Sequence, residues 1–330
     1  MNIVILSEHD WCASGMQIRN ALRSKGHRAI LIKNRNQNGY ECDYELPKVI
    51  DRTGRGGLIL EYPRHSAKIQ RAILDADIAI FKGDEPPTRN WHRYILHGDT
   101  QIVFLASGSN FRRKAMVASA AKAKWKLGDY DIANLKLVNT PEMAYPGFTW
   151  MPMSFDSDKK PNLFTRHNRQ KKQIVIMHSP SNRERKGTEM FIKAMEVLRA
   201  KGYAFKCHII EGKPVDECIR IKSRASIFYD QNKVGFYGNS AIEAMQYGIP
   251  TMAWISPEAI KNNQDIFTKE EMPIINCGTS LVSMIRAFEA YLQNPRKLYR
   301  LSQSTKKYTD RIHSYEGTAE RWEELLSDLL

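Results

Sequence analysis

The residues between Gly235 and Pro250 carry the clearest chemistry in the chain. Gly235-Phe236-Tyr237-Gly238-Asn239-Ser240-Ala241-Ile242-Glu243 reads as a glycine-bearing loop running into a short helix with an acid in its first turn. The opening amides of a helix have no intrahelical acceptor and sit in positive potential, so Asn239, Ser240 and Ala241 are expected to offer N–H groups to a phosphate. Glu243 can accept from two vicinal hydroxyls, as a ribose presents them, or it can cap its own helix. A second stretch, His178-Ser179-Pro180-Ser181-Asn182-Arg183-Glu184-Arg185-Lys186-Gly187-Thr188, follows one strand and opens another helix. It is either an anion site or a solvated cationic loop. In the first half, Asp10-Trp11-Cys12-Ala13-Ser14-Gly15 makes a strand-to-helix turn with a single glycine. Gly83-Asp84-Glu85-Pro86-Pro87 ends another strand with an acid able to orient or deprotonate a hydroxyl, or simply to make an acidic turn.

These segments need a scaffold, and the apolar pattern supplies one. Runs at Asn2–Leu6, Ala29–Lys33, Ile78–Lys82 and Gln101–Ala106 alternate with amphipathic segments, including a helix Met16–Lys25, which predicts a parallel sheet covered by helices. The pattern breaks near Met151-Pro152-Met153, and residues 156–172 are polar and basic. A second α/β series follows: strands at Gln173–His178, Phe205–Ile210, Ser226–Tyr229 and Thr251–Ile255, with helices over Thr188–Lys201 and Ser240–Tyr247 that end at Gly202 and Gly248. Trp322, Leu325, Leu326 and Leu329 then form one apolar stripe on a terminal helix. The reading is α/β throughout: a first domain over 1–155, a linker over 156–172, a second domain over 173–312 and an end helix over 313–330. Ligands of doubly wound sheets bind beyond the carboxyl ends of the strands, so the chemistry is expected between the two domains.

Composition narrows the partners. The chain of 330 residues carries a net charge of +14, spread evenly over its two halves, which favours nucleic acid, anionic membrane or phosphorylated substrates. No apolar run is long enough to span a bilayer, and the first strand meets Ser7-Glu8-His9-Asp10 too early for a signal peptide, so a cytoplasmic protein is expected. The five cysteines are scattered, without a Cys-x-x-Cys pair, and read as reduced thiols. His9 and Cys12 lack a second pair of ligands, and no Asp-x-Asp lies near either phosphate loop. Neither a metal nor another cofactor is therefore expected.

The Glu243 segment resembles the donor signature of the retaining group 1 glycosyltransferases of the GT-B fold, Glu-x7-Glu followed by Ala-x-x-x-Gly-x-Pro. Glu243, Ala244, Gly248 and Pro250 fall in place; Gly235 stands where the family has its first, sugar-contacting Glu. The resemblance implies two Rossmann-like doubly wound domains with a cleft between them and a nucleotide-diphosphate sugar, foremost a UDP-sugar, as co-substrate. It implies that Lys186, with Arg183 preferred over Arg185, neutralises the departing diphosphate. It places Gly15, Gly238, Asn239, Ser240 and Glu243 at the donor and Asp84 beside the reacting sugar, where many members have a His. The last helix, Tyr308–Leu330, resembles the family element that crosses back to the first domain.

The acceptor is read from charge. No acidic residue lies between Asp99 and Asp129, while Arg112, Arg113, Lys114, Lys122, Lys124 and Lys126 surround Phe111 and Trp125. Such a patch suits a phosphate backbone, and DNA bearing a hydroxymethylated base, flipped into the cleft, is the favoured acceptor. The small size resembles viral DNA-modifying glycosyltransferases, which implies a host cytoplasm. The six charges do not share one helical stripe. An anionic membrane with a lipid-linked or polysaccharide acceptor therefore stays open, as do a non-catalytic nucleic-acid-binding protein and a solvated basic surface. No obligate protein partner is evident.

Overall fold

The computed structural model describes residues 1–7, 10, 13–33, 40–45, 67–83, 99–107, 111, 133–144, 147–156, 160–164, 173–262 and 272–329. They form two compact units, one made of Met1–Ser154 with Tyr315–Leu330 and the other of Phe155–Ser314.

The first unit runs β1 Asn2–Ser7, α1 Ser14–Ser24, β2 Arg28–Lys33, β3 Tyr44–Glu45, α2 Ala67–Leu74, β4 Ile78–Gly83, β5 Gln101–Ala106, β6 Leu135–Val138 and β7 Thr149–Trp150. Its sheet has the order β3-β2-β1-β4-β5-β6-β7, with every described pairing parallel. Ile3, Ile5, Leu31, Ile78, Ile80, Val103 and Leu105 point to one side, and Val4, Leu6, Ile32, Phe81, Ile102 and Phe104 alternate with them; both sets are buried. That is why these strands read as continuous apolar runs rather than as alternating ones.

The second unit runs β8 Ile174–His178, α3 Arg183–Lys186, α4 Thr188–Ala200, β9 Phe205–Ile209, α5 Val215–Lys222, β10 Ile227–Gln231, α6 Asn239–Met245, β11 Thr251–Ala253, α7 Pro257–Lys261, β12 Ile274–Asn276, α8 Leu281–Leu292 and α9 Arg296–His313. Its sheet is β12-β11-β10-β8-β9, again parallel in every described pairing. Phe191 of α4 stacks on Tyr229 of β10 with ring centroids 4.7 Å apart, and Phe288 of α8 packs at 6.1 Å from Phe191. Chain order reverses between β8 and β10, so the carboxyl ends of these two strands form the crevice where doubly wound sheets take ligands.

The end of the chain differs from the single helix expected over Tyr308–Leu330. α9 stops at His313, Ser314 is extended, with φ −67° and ψ 165°, and α10 begins at Tyr315 and runs to Ser327. α10 packs on α1 in the first unit. Trp322 and Leu326 enter that unit's core, with Leu325 and Leu329 at its margin. The Tyr315 hydroxyl lies 2.5 Å from Gln17 Oε1, and Glu323 lies 3.1 Å from His27 Nε2.

Candidate functional site

The loop after β10 is built before any ligand is considered. Gln231 is fully buried and directs its side chain along the loop: Nε2 donates to the Phe236 and Trp254 carbonyls at 2.8 and 3.0 Å, and Oε1 accepts from the Lys233 and Val234 amides at 2.6 and 2.7 Å. Tyr237, also buried, places its hydroxyl 2.7 Å from that of Tyr308 and 2.9 Å from His313 Nε2. A buried donor or acceptor left unmade is costly, so these bonds hold the loop in one conformation. Gly235 takes φ 94° within it. A glutamate, which the group 1 signature carries at this position, would adopt that backbone only under strain.

Asp230, at the carboxyl end of β10 and buried, joins two chain segments. Its Oδ1 lies 2.5 Å from Lys186 Nζ, and its Oδ2 accepts from the Gly238 amide at 2.7 Å. Gly187 holds Lys186 in place: it is left-handed at φ 71°, and a Cβ there would lie 1.8 Å from Asn232 Oδ1, so no other residue fits. Lys186 uses one of its three N–H donors on Asp230, which leaves two to give.

A second ion pair flanks the start of α6. Lys222, with its side chain only 1% exposed, places Nζ 2.5 Å from Glu243 Oε2 and 2.9 Å from Ser240 Oγ. Glu243 Oε1 has no hydrogen-bond partner among the described residues. The Ala241 amide, expected to be available to phosphate, instead donates to the Gly238 carbonyl at 2.9 Å, a turn that tightens the helix start. The Asn239 and Ser240 amides keep no partner among the described residues.

The structure brings Lys186, Gly238, Asn239 and Ser240 to the carboxyl end of β10, whereas Glu243 is the fifth residue of α6 and lies beyond the first turn where it was expected. Arg183 stands apart: its guanidinium bonds Glu189 at 3.0 Å and Glu211 at 3.0 Å. It lines a cleft of about 570 Å³ beside α4 with Glu189, Lys193 and Lys233, a cleft that neither Lys186 nor Glu243 lines. Gly15 lies in the first unit, where Asp10 occupies the start of α1. The Asp10 carboxylate accepts from the Gly15 and Met16 amides at 2.5 and 3.2 Å and lies 3.5 Å from the buried Lys82 Nζ. The donors that a phosphate would use there are already satisfied by a resident anion. Phe111, expected as an exposed stacking group, is a core residue between Phe104 and Phe148, at 6.4 and 5.5 Å, because its ring completes an apolar cluster. Asp84, Arg112, Arg113, Lys114, Lys122, Lys124, Trp125 and Lys126 lie outside the described residues.

Sequence reading missed Asp230 and Lys222. Asp230 had a signal, since an acid ends an otherwise apolar strand at the ligand-binding edge of a parallel sheet. Lys222 had none, being an ordinary last residue of a short helix. Four cysteines, Cys42, Cys207, Cys218 and Cys277, are free thiols, and burial pushes Cys277 up to about 12. No group of three metal-ligating side chains occurs among the described residues, and no described helix is long and apolar enough to cross a membrane.

His178 closes β8 beneath this site. It is wholly buried, with Nδ1 3.0 Å from the Tyr229 carbonyl and Nε2 2.8 Å from Thr188 Oγ1. Desolvation pushes its pKa down to about 4. The folded state thus prefers the neutral ring; the stabilisation is complete above the unfolded value near 6.5 and is lost as pH falls towards 4. Between pH 7 and pH 4.5 this group alone is expected to remove about 2 kcal/mol of stability. Denaturant titrations at both pH values should show that loss in the wild type and a flatter response in His178→Gln; equal slopes would exclude His178 as the cause.

No protein-family model and no curated protein sequence matches the chain. Solved structures do match across its length. Sucrose-phosphate synthase from Thermosynechococcus elongatus superposes with a TM-score of 0.65 at 13% identity, covering 100% of this chain and 99% of the other. An alpha-glucosyltransferase in complex with UDP and a 13-mer DNA gives 0.63 at 11% identity, covering 98% of each chain. Anabaena HepE in complex with UDP and glucose gives 0.59 at 12% identity, covering 99% of each. With two parallel sheets, each wound by helices about a reversal of strand order, these likenesses identify the fold as GT-B, the two-unit Rossmann-like architecture of nucleotide-sugar glycosyltransferases.

Proposed function

We propose that this protein is a glycosyltransferase that moves a sugar from a UDP-sugar to the hydroxyl of a hydroxymethylated base in DNA, with retention at the anomeric carbon. The observation that carries the donor half is the start of α6 at the carboxyl end of β10, where Lys186 keeps two N–H donors beside Gly238 and the Asn239 and Ser240 amides keep no partner among the described residues, with Glu243 further along the same helix keeping one oxygen. In the proposed step the bond from C1 of the sugar to the diphosphate oxygen breaks and the acceptor oxygen bonds C1. Lys186 and the Asn239 and Ser240 amides take up the charge that develops on the diphosphate, a preorganised stabilisation that needs no metal ligand from this chain. Asp84 orients the acceptor hydroxyl and receives its proton. Arg112, Arg113, Lys114, Lys122 and Lys126 hold the DNA backbone.

The DNA half is supported by the net charge of +14 and by likeness to alpha-glucosyltransferase, one of whose structures holds UDP and a 13-mer DNA containing a HMU base. The test is incubation with UDP-sugars and either hydroxymethylated duplex, plain duplex or no acceptor, measuring released UDP and DNA mass. UDP release with a hexose-sized mass gain only on hydroxymethylated DNA is the expected result. Release that ignores DNA would overturn the acceptor, and no UDP binding at all would overturn the donor.

A further inference from the structure

Lys222 has no part in the chemistry above, yet it is among the most deeply buried cations of the second unit. Its ammonium lies 2.5 Å from Glu243 Oε2 and 2.9 Å from Ser240 Oγ, and it stands 5.4 Å from the centroid of the Phe228 ring. A charge so placed is costly unless it is paired and hydrogen-bonded, and Glu243 is its only ion-pair partner among the described residues. Glu243 itself is 22% exposed at its side chain, so one oxygen is held from below and the other faces outward.

That division of labour answers an electrostatic difficulty. A carboxylate that reads a ribose must sit within a few ångströms of a diphosphate, and two like charges at such range repel. A lysine behind the carboxylate cancels its charge towards the diphosphate while leaving Oε1 free to accept from a hydroxyl. The same contact fixes the carboxylate's rotamer, because Oε2 cannot leave Nζ without stranding a buried ammonium.

We propose that Lys222 is the positioning residue that makes this site selective for a ribonucleotide. Acting through Glu243, it sets Oε1 to receive the ribose diol and so separates ribonucleoside from deoxyribonucleoside diphosphates. This rests on the donor reading above, and it assigns Lys222 no contact with the ligand.

The experiment compares binding of UDP and of its 2′-deoxy and 3′-deoxy analogues by calorimetry, in the wild type, Lys222→Met, Glu243→Gln and the double variant, with thermal melts alongside. Wild type should prefer UDP over at least one analogue by about tenfold or more, the scale of a hydrogen bond to a charged group. Lys222→Met should bring that preference below about threefold. Retained preference in a folded Lys222→Met, or no preference in the wild type, overturns the role of Lys222 while leaving UDP binding in place. Absence of UDP binding to the wild type is a different failure and removes the donor site itself. Should Lys222→Met not fold, the double variant takes both charges out of the interior together. UDP affinity equal to that of Glu243→Gln then supports action through Glu243, and a further loss overturns it.

Discussion

Lys186→Ala is expected to lower turnover by about 10² to 10³-fold, the range found when one preorganised donor to a developing anion is removed. Lys186 Nζ sits 2.5 Å from Asp230 and near Gly238, where a Cβ would lie 3.2 Å from it, so its two remaining N–H donors share a crowded site with the Gly238 backbone. The loss should appear in kcat more than in KM, because the ammonium is worth more to a leaving diphosphate than to one still bonded to its sugar. A complication is built into the pair. Asp230 is 1% exposed at its side chain, and removing its cation leaves a buried charge held, among the described residues, only by the Gly238 amide. Breaking such a pair costs several kcal/mol in general, so low activity could reflect a weakened fold. Lys186→Ala combined with Asp230→Asn removes the stranded charge. The double variant should melt near the wild type and remain inactive, measured as UDP released per enzyme; recovery of turnover in it would show that Lys186 matters for the fold alone.

Trp322→Ala should be the most destabilising simple substitution in the first unit. The side chain is 0% exposed and lies among Ile5, Ile18, Leu22 and Leu31, so truncation removes apolar contact and leaves a cavity, at about 3 to 5 kcal/mol. A smaller effect opposes this: the indole Nε1 is buried without a hydrogen-bond partner among the described residues, and alanine removes that unmet donor. The cavity outweighs that relief, and the melting temperature should fall by roughly 10 °C. Every residue of the Lys186 and Glu243 clusters belongs to Phe155–Ser314, whereas Trp322 belongs to the other unit. UDP affinity measured below the new transition should therefore stay within about threefold of wild type. A collapse of UDP binding at a temperature where the variant is still folded would mean that the first unit supplies part of the donor site.

The scaffold was legible wherever burial dictates residue type. Strands buried on both faces leave unbroken apolar runs, so β5 at Gln101–Ala106 matches its expected bounds and most other strands shift by one or two residues at an end. The break at Ser314 was missed because the pattern on either side is helical, although an extended serine followed by Tyr315 and Glu316 is a favoured helix start. In the site, Lys186 and Glu243 were found because a loop that meets a helix start has few chemical uses. Their partners escaped notice: an ion pair between Lys222 and Glu243 joins positions 21 apart in sequence, and only the packing of α5 against α6 makes them neighbours. Phe111 shows the opposite error, since an aromatic residue beside cations looks like a stacking group until the fold turns it inward.

The left-handed turn at Gly235 limits which side chains this loop could carry. A glutamate at that position would set about 1 to 3 kcal/mol of conformational penalty against the loop that Gln231 holds. Changes to this loop are better aimed at neighbours whose backbone tolerates any side chain, and drift across this position should have to pass through weakened intermediates.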